Sequence, residues 1–271
     1  MHRFTILGCG SSGGVPRLGH GPDGVDWGAC DPNNPKNRRR RCSLLVERFG
    51  AEGITRVLID TSPDMREQLL DARVGVLDGV VFTHSHADHL HGLDDLRQVV
   101  FNIRRRLPVW ADDPTRADLL ARFGYAFEAP AGSPYPPILD LHAIEGPFAV
   151  QGPGGPVRLV PFQADHGSII ALGFRIAGLA YLPDAVAIPE ESWPVLEGTT
   201  CFVVDALRRK PHPTHAHLDL ALEWIARVNP EQAVLTNMHL DLDHAALEAE
   251  LPSHIRPAFD GMQIDLPDSD A

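Results

Sequence analysis

The chain has 271 residues, 44% hydrophobic and 22% charged, ordinary for a globular protein and long enough to bury a substantial core. Its 24 Lys and Arg against 36 Asp and Glu leave a net charge of −12, which argues against a general nucleic-acid coat. No apolar run reaches the roughly eighteen residues that a membrane helix requires, so no membrane partner is expected. Met1–Gly8 is too short and too soon interrupted by glycine for a secretory signal. It reads as a first strand, and a cytoplasmic protein is expected.

Strand signals, short β-rich runs bounded by turn residues, fall at Phe4–Leu7, Ser43–Glu47, Arg56–Ile59, Gly79–Thr83, Val109–Ala111, Val157–Phe162, Ala171–Ile176, Leu179–Leu182, Cys201–Val204, Ala233–Thr236 and Gln263–Leu266. Helical spacing of apolar residues marks Pro63–Ala72, Leu93–Arg105, Pro114–Phe123 and His217–Val228, with a short helix over Asp243–Leu251. Strands and helices alternate, with hairpin-like strand clusters near each end. That is an α/β pattern with mixed sheets rather than a pure doubly wound sheet. The proline-rich stretch Phe127–Pro156 reads as a long irregular excursion bordering the site, and Pro267–Ala271 as a frayed acidic tail. With no repeat and no linker, residues 1–271 are expected to form a single domain.

The chemistry concentrates in His84-Ser85-His86-Ala87-Asp88-His89, directly after the apolar run Val80–Thr83. Alternate strand residues share a face, so His84 and His86 can aim at one point. Asp88 and His89, past the bend, can aim at a second point, which favours two adjacent metals over one. Imidazole with carboxylate suits zinc, iron or manganese. Three further strand ends carry isolated polar residues, namely His166 in Asp165-His166-Gly167, Asp184 after Leu182-Pro183, and His239 after Asn237-Met238. Singly, each fits an ordinary hydrogen-bonded residue. With the opening cluster they recur as His, Asp, His after successive strands.

The motif His84-x-His86-x-Asp88-His89, with His166, Asp184 and His239, resembles the metallo-β-lactamase fold superfamily. The resemblance implies a four-layer αββα sandwich of two mixed β-sheets flanked by helices. It implies one metal on His84, His86 and His166, a second on Asp88, His89 and His239, and Asp184 bridging them. Two divalent ions, zinc or manganese, are the implied cofactors. Asp60 matches the family's early aspartate, which orients the site rather than binding metal. Leu7–Pro16, Cys42-Ser43, the segment Asp205–Leu218 and Phe259–Met262 look like the PhnP-type phosphodiesterases, which open cyclic phosphate esters such as phosphoribosyl 1,2-cyclic phosphate. In that group a histidine serves as general acid or phosphate contact. His215 is the best match, with His217 a close competitor and His212 a distant one. A homodimer is a further expectation from the resemblance. The group's best-known form holds a structural zinc on clustered cysteines. Here only Cys30 stands in that region, and Leu242 occupies the later histidine position. The structural zinc is therefore expected to be missing, with prolines and the arginines of Arg38–Arg41 holding the loop.

The four cysteines, Cys9, Cys30, Cys42 and Cys201, are scattered without a C-x-x-C pair and suggest no disulfide framework. The basic run Lys36–Arg41 is either a solvated loop or a source of one or two arginines reaching an anionic substrate. The glycine-rich turn Gly10–Gly14 lacks a G-x-G-x-x-G pattern and reads better as a tight turn than as a phosphate cradle. Two divalent ions outweigh the carboxylates of Asp88 and Asp184, so the cavity attracts an anion although the protein is acidic. A water shared by the ions would supply hydroxide near neutral pH, with Asp88 helping to hold it and His215 protonating the leaving group. The expected partner is a small phosphorylated substrate of cyclic phosphate or cyclic nucleotide type. Three rivals stand beside this reading. A ribonuclease Z-like tRNA-processing enzyme would usually carry a protruding basic or glycine-rich arm. A glyoxalase II-like or lactamase-like hydrolase lacks the Gly8–Pro16 opening. A non-catalytic PqqB-like metal-binding scaffold would have no need of all seven ligands.

Overall fold

The computed structural model describes residues 1–129 and 131–268, and Ser269, Asp270 and Ala271 of the expected tail lie outside the described residues. One seven-stranded sheet takes its strands in the spatial order Met262–Leu266, His2–Gly8, Ser43–Gly50, Gly53–Ile59, Gly79–Val81, Leu107–Ala111, Leu139–Ala143. A second takes Ile255–Pro257, Gln232–Thr236, Cys201–Asp205, Leu179–Leu182, Ile169–Ile176, Val157–His166, Phe148–Val150.

The runs Leu44-Leu45-Val46, Val57-Leu58-Ile59 and Val80-Val81-Phe82 are apolar at every position because both faces of the first sheet are covered. Leu44, Val46, Val57, Ile59 and Val81 pack toward Phe162, Phe174 and Ile176 of the second sheet. Leu45, Leu58, Val80 and Phe82, one residue out of phase, pack on Met65, Leu69, Leu96, Val99 and Leu119 of the helices Met65–Asp71, Leu96–Ile103 and Asp113–Phe127. The outer face of the second sheet takes Ala221, Trp224 and Ile225 from the helix Leu218–Val228. The result is the four-layer αββα sandwich of two mixed sheets.

The stretch Phe127–Pro156 departs from its expected irregularity. Leu139–Ala143 pairs in parallel with Leu107–Ala111 at one sheet edge, and Phe148–Val150 pairs with Val157–Leu159 at the edge of the other. Edge strands are laddered on one side only, so they tolerate nearby prolines and half-polar sequence, which masks their β signal. None of its described residues lines the cavity discussed below, so the segment closes sheet edges instead of bordering the site. Arg17–Leu18 and Val25–Asp26 add a small ribbon that the sequence did not advertise.

What positions the site is strand direction. Gly53–Ile59, Gly79–Val81 and Leu107–Ala111 run parallel, as do Leu179–Leu182, Cys201–Asp205 and Gln232–Thr236. The strand Val157–His166 is antiparallel to Ile169–Ile176, which is antiparallel to Leu179–Leu182, so it points the same way as the latter. The loops after all these strands therefore open at the carboxyl ends, the usual location of sites in α/β folds.

The basic run is neither a solvated loop nor a row of free cations. Arg40 pairs with Asp260 at 3.0 Å and Asp71 at 2.8 Å, and Arg41 pairs with Asp64 at 3.0 Å. Arg39 is buried, 1% exposed, and donates to the Leu242 carbonyl at 2.6 Å and the His239 carbonyl at 3.2 Å. Its guanidinium also meets Asn37 Oδ1 at 3.3 Å and Cys30 Sγ at 3.9 Å. One guanidinium thus ties together the Cys30 loop, Asn37 and the chain after His239. Replacing Arg39 with Met strands buried carbonyls and is expected to cost about 2–4 kcal/mol. The test is the urea unfolding midpoint at unchanged slope, and an unshifted midpoint would contradict this role.

Candidate metal centre

The centre is built on Asp60, the first residue after Gly53–Ile59. It is fully buried and sits at φ 64°, a left-handed conformation that aspartate tolerates better than most side chains. Its carboxylate accepts from Thr83 N and Thr83 Oγ1, both at 2.8 Å, and meets His89 Nδ1 at 2.7 Å. Thr83 Oγ1 in turn lies 2.9 Å from His84 Nδ1. With both Nδ1 atoms engaged, His84 and His89 turn their Nε2 atoms toward Asp184. Those two Nε2 atoms are buried and have no hydrogen-bond partner. Buried polar atoms are rarely left this way unless another group completes them.

Asp184, after Leu179–Leu182, divides the surrounding groups between its two oxygens. Oδ2 lies 3.6 Å from His84 Nε2 and 3.5 Å from His166 Nε2, while Oδ1 lies 3.4 Å from His89 Nε2. Donor atoms of His84, His86, His166 and Asp184 all fall within 4.8 Å of one another, close enough to share one ion. Asp88 Oδ2 lies 3.6 Å from His89 Nε2, on the Oδ1 side. His166 is oriented by Nδ1 donating to the Thr214 carbonyl at 2.7 Å, and His239 by Asp241 at 3.2 Å. His239 lines the same cavity as His86, Asp88, His166 and Asp184. The short helix Ala87–Leu90 carries Asp88 and His89 onto the far side of the bend.

The electrostatics fit a cation. Burial, reinforced by nearby His89, holds His84 well below its ordinary pKa, and burial also lowers His166 and His239. Neutral imidazole is the form that binds metal. His89 is the exception. Burial opposes its charge, yet Asp184, Asp60 and Asp88 prevail and raise it well above the ordinary value. Three carboxylates converging on one imidazole mark a place that demands positive charge.

His215 lines the cavity 4.6 Å, ring to ring, from His166. Its Nδ1 donates to Asp205 Oδ2 at 2.9 Å, which leaves Nε2 for the cavity. Burial opposes its charge, but the Asp205 hydrogen bond and carboxylate raise its pKa to about 9, while burial lifts Asp205 itself to about 6. Between these values the proton resides on the imidazole. The competitors exchange rank: His212 lines the cavity, whereas His217 caps the helix Leu218–Val228 and does not.

Sequence reading missed Asn237 and Arg17. Asn237 stands at φ 59° just after Gln232–Thr236, and its Nδ2 lies 3.1 Å from both Asp184 Oδ1 and Asp205 Oδ1. A polar residue at the end of an apolar run, the signal that marked His166, Asp184 and His239, was present there too. Gly8, at the end of the first strand, and Gly10, in the turn after it, are structural. A Cβ on Gly8 would fall 2.0 Å from the Arg41 carbonyl oxygen, and one on Gly10 would fall 2.9 Å from Arg39. Ser11 and Ser12 of that turn line the cavity.

The profile of the β-lactamase superfamily domain matches residues 55–238. The crystal structure of a diphosphatase from the PhnP family superposes with a TM-score of 0.86 at 32% identity, covering 99% of each chain. Zinc-bound PqqB from Methylobacterium extorquens superposes with a TM-score of 0.72 at 18% identity, covering 98% of this chain and 100% of that one, a likeness of fold. An octanoyltransferase of Porphyromonas gingivalis is 34% identical over 96% of this chain, which spans 51% of that protein's length. With the superfamily profile lying over most of the chain and a PhnP-family relative matching it end to end, the protein belongs to the β-lactamase superfamily and is a PhnP-like member of it.

Proposed function

We propose that this protein is a metal-dependent phosphodiesterase that opens small cyclic phosphate esters, and that the residues around Asp184 would hold two divalent ions. The observation that carries the reading is the split of one buried carboxylate between His84 and His89, whose buried Nε2 atoms have no hydrogen-bond partner. His84, His86 and His166 would hold one ion, and Asp88, His89 and His239 the other. When bound, such ions supply Lewis acidity toward phosphate oxygens and an activated water near neutral pH.

The chain's own residues account for the rest. Asp60 keeps His84 and His89 in the tautomer that presents Nε2. Asn237 braces Asp184 against Asp205, so the carboxylate cannot rotate out of its shared position. Asp88, partly exposed at the cavity, is placed to orient the attacking water. Asp205 holds His215 protonated at the cavity. As the phosphorus–oxygen bond to the leaving group breaks, the proton passes from His215 Nε2 to that oxygen.

The PhnP-family relative is described as a diphosphatase, and the same placement of acid and ligands would serve cleavage of a diphosphate. The tRNA-processing alternative finds less support. The ribbon Arg17–Asp26 has strands of only two residues, and the net charge is −12. A purely metal-binding role leaves the His215–Asp205 pair without a task.

Two expectations test the reading. His84→Ala and Asp184→Ala should bring metal content, measured by mass spectrometry, from about two ions per chain to one or fewer, with hydrolysis of bis(p-nitrophenyl) phosphate lost in parallel. Full hydrolysis by chelator-treated protein would sink the metal mechanism. His215→Ala should retain its metal while kcat falls about 10²–10⁴-fold, the range for a positioned general acid. An unchanged kcat would remove His215 from that role.

A further inference from the structure

Two imidazoles of the cavity hang on one residue, Thr214. His166 Nδ1 donates to the Thr214 carbonyl at 2.7 Å. His212 Nδ1 lies 3.3 Å from Thr214 N and 3.2 Å from Thr214 Oγ1. A backbone N–H can only donate, so His212 Nδ1 is the acceptor and carries no proton. The hydroxyl, which can play either part, then donates to the same nitrogen. Two different neutral tautomers result. His166 has its proton on Nδ1 and keeps a lone pair on Nε2, the arrangement a metal ligand needs. His212 has its proton on Nε2, the nitrogen left for a ligand, and there it is a donor. Burial, with the charge on His215 beside it, lowers the pKa of His212 and agrees with a neutral ring. The seat of Thr214 is made by Gly167, directly after His166 at φ 73°, where a Cβ would stand 2.4 Å from Thr214 Cγ2. Glycine answers both demands there, the backbone angle and the room.

His212 lines the same cavity as His166, Asp184 and His215, and its ring stands 5.1 Å from that of His215. Three roles fall away on this geometry. A ring with its proton on Nε2 is no metal ligand at that atom. A ring without an ion pair among the described residues lacks the carboxylate that keeps His215 charged, so it is no second general acid. A ring whose Nδ1 is tied to a backbone N–H cannot pass a proton from one nitrogen to the other. What remains is a fixed, uncharged N–H beside a charged one. We propose that His212 is a substrate-binding residue, donating from Nε2 to an oxygen of the reacting phosphoryl group next to the oxygen that His215 protonates. The two rings are close enough for their N–H groups to serve oxygens of one such group. A donor held in place beforehand costs no reorganisation as charge gathers on that oxygen. The inference deepens the phosphodiesterase reading and rests on it for the ligand, whereas the tautomer of His212 does not depend on it.

The test has two arms, and neither uses turnover. In zinc-loaded protein labelled with nitrogen-15 histidine, a long-range nitrogen–proton correlation spectrum at neutral pH should show a ring protonated on Nε2 alone that vanishes in His212→Gln. A His212 ring protonated on Nδ1, or on both nitrogens, overturns the proposal. In the second arm, zinc-loaded protein is titrated calorimetrically with inorganic phosphate. His212→Leu should weaken phosphate binding about tenfold, the worth of one hydrogen bond to a charged group. His212→Gln, whose amide can still donate, should recover most of that loss. Unchanged affinity in His212→Leu at matching zinc content and melting temperature overturns the proposal, as does a wild type that binds no phosphate. A lower zinc content in His212→Leu would make the ring a ligand and overturns it too. A wild type that binds phosphate through His212 yet hydrolyses no phosphodiester would count against the reaction and leave the role of His212 as an oxygen-binding donor standing.

Discussion

Everything in this centre depends on the buried carboxylate of Asp60. It makes three short contacts, two to Thr83 and one to His89, and through Thr83 it reaches His84. A metal-binding histidine must present one chosen nitrogen in one orientation, and a partner on the other nitrogen achieves this. Asp60 manages it for two candidate ligands at once because it leaves its strand in a left-handed turn. Conformations of that kind persist where the surroundings over-determine them, and they cluster at functional sites. Asn237 repeats the device in the other sheet, also left-handed, also immediately after a parallel strand, and also bracing a carboxylate, that of Asp184.

The two sheets are joined where these turns meet. Gly10 N donates to the Arg40 carbonyl at 2.7 Å, and Met238 N donates to the Cys9 carbonyl at 2.8 Å, so the turn after the first strand is laced to both. Arg39 reaches from the same run to the carbonyls of His239 and Leu242. A guanidinium with several donors can satisfy acceptors from separated segments, a task that tetrahedral metal ligation performs in other small loops. The basic run therefore contributes mainly to the architecture of the metal end. Arg38, stacked on Trp27, is the one of Arg38–Arg41 without a polar or acidic side-chain partner among the described residues.

Charge is managed locally. A −12 protein would repel a phosphate ester at long range, yet around the candidate metal ligands burial keeps most imidazoles neutral and leaves several carboxylates to be balanced. That arrangement is unfavourable in the bare protein and would become favourable with cations in place. The His215–Asp205 pair lies beside this region. Its proton is held by a buried carboxylate, the kind of shift that marks acid–base residues.

Much of this was legible in the chain alone. The density of His84–His89, the strand-end positions of His166, Asp184 and His239, and the alternation of strands with helices are local patterns, and local patterns survive in one dimension. Short apolar runs marked the central strands because both faces of each sheet are buried. The edge strands Leu139–Ala143 and Phe148–Val150 stayed hidden, since strands paired on one side only need no such runs. Only the tertiary structure could separate His215 from His217, because two residues of helix-start geometry decide which imidazole meets Asp205. Only the fold shows that Arg39 is buried while Arg17 stands in the cavity wall. Both are arginines in glycine- or arginine-rich loops, and nothing local distinguishes them. Their fates are set by which distant carbonyls and carboxylates the two sheets bring within reach.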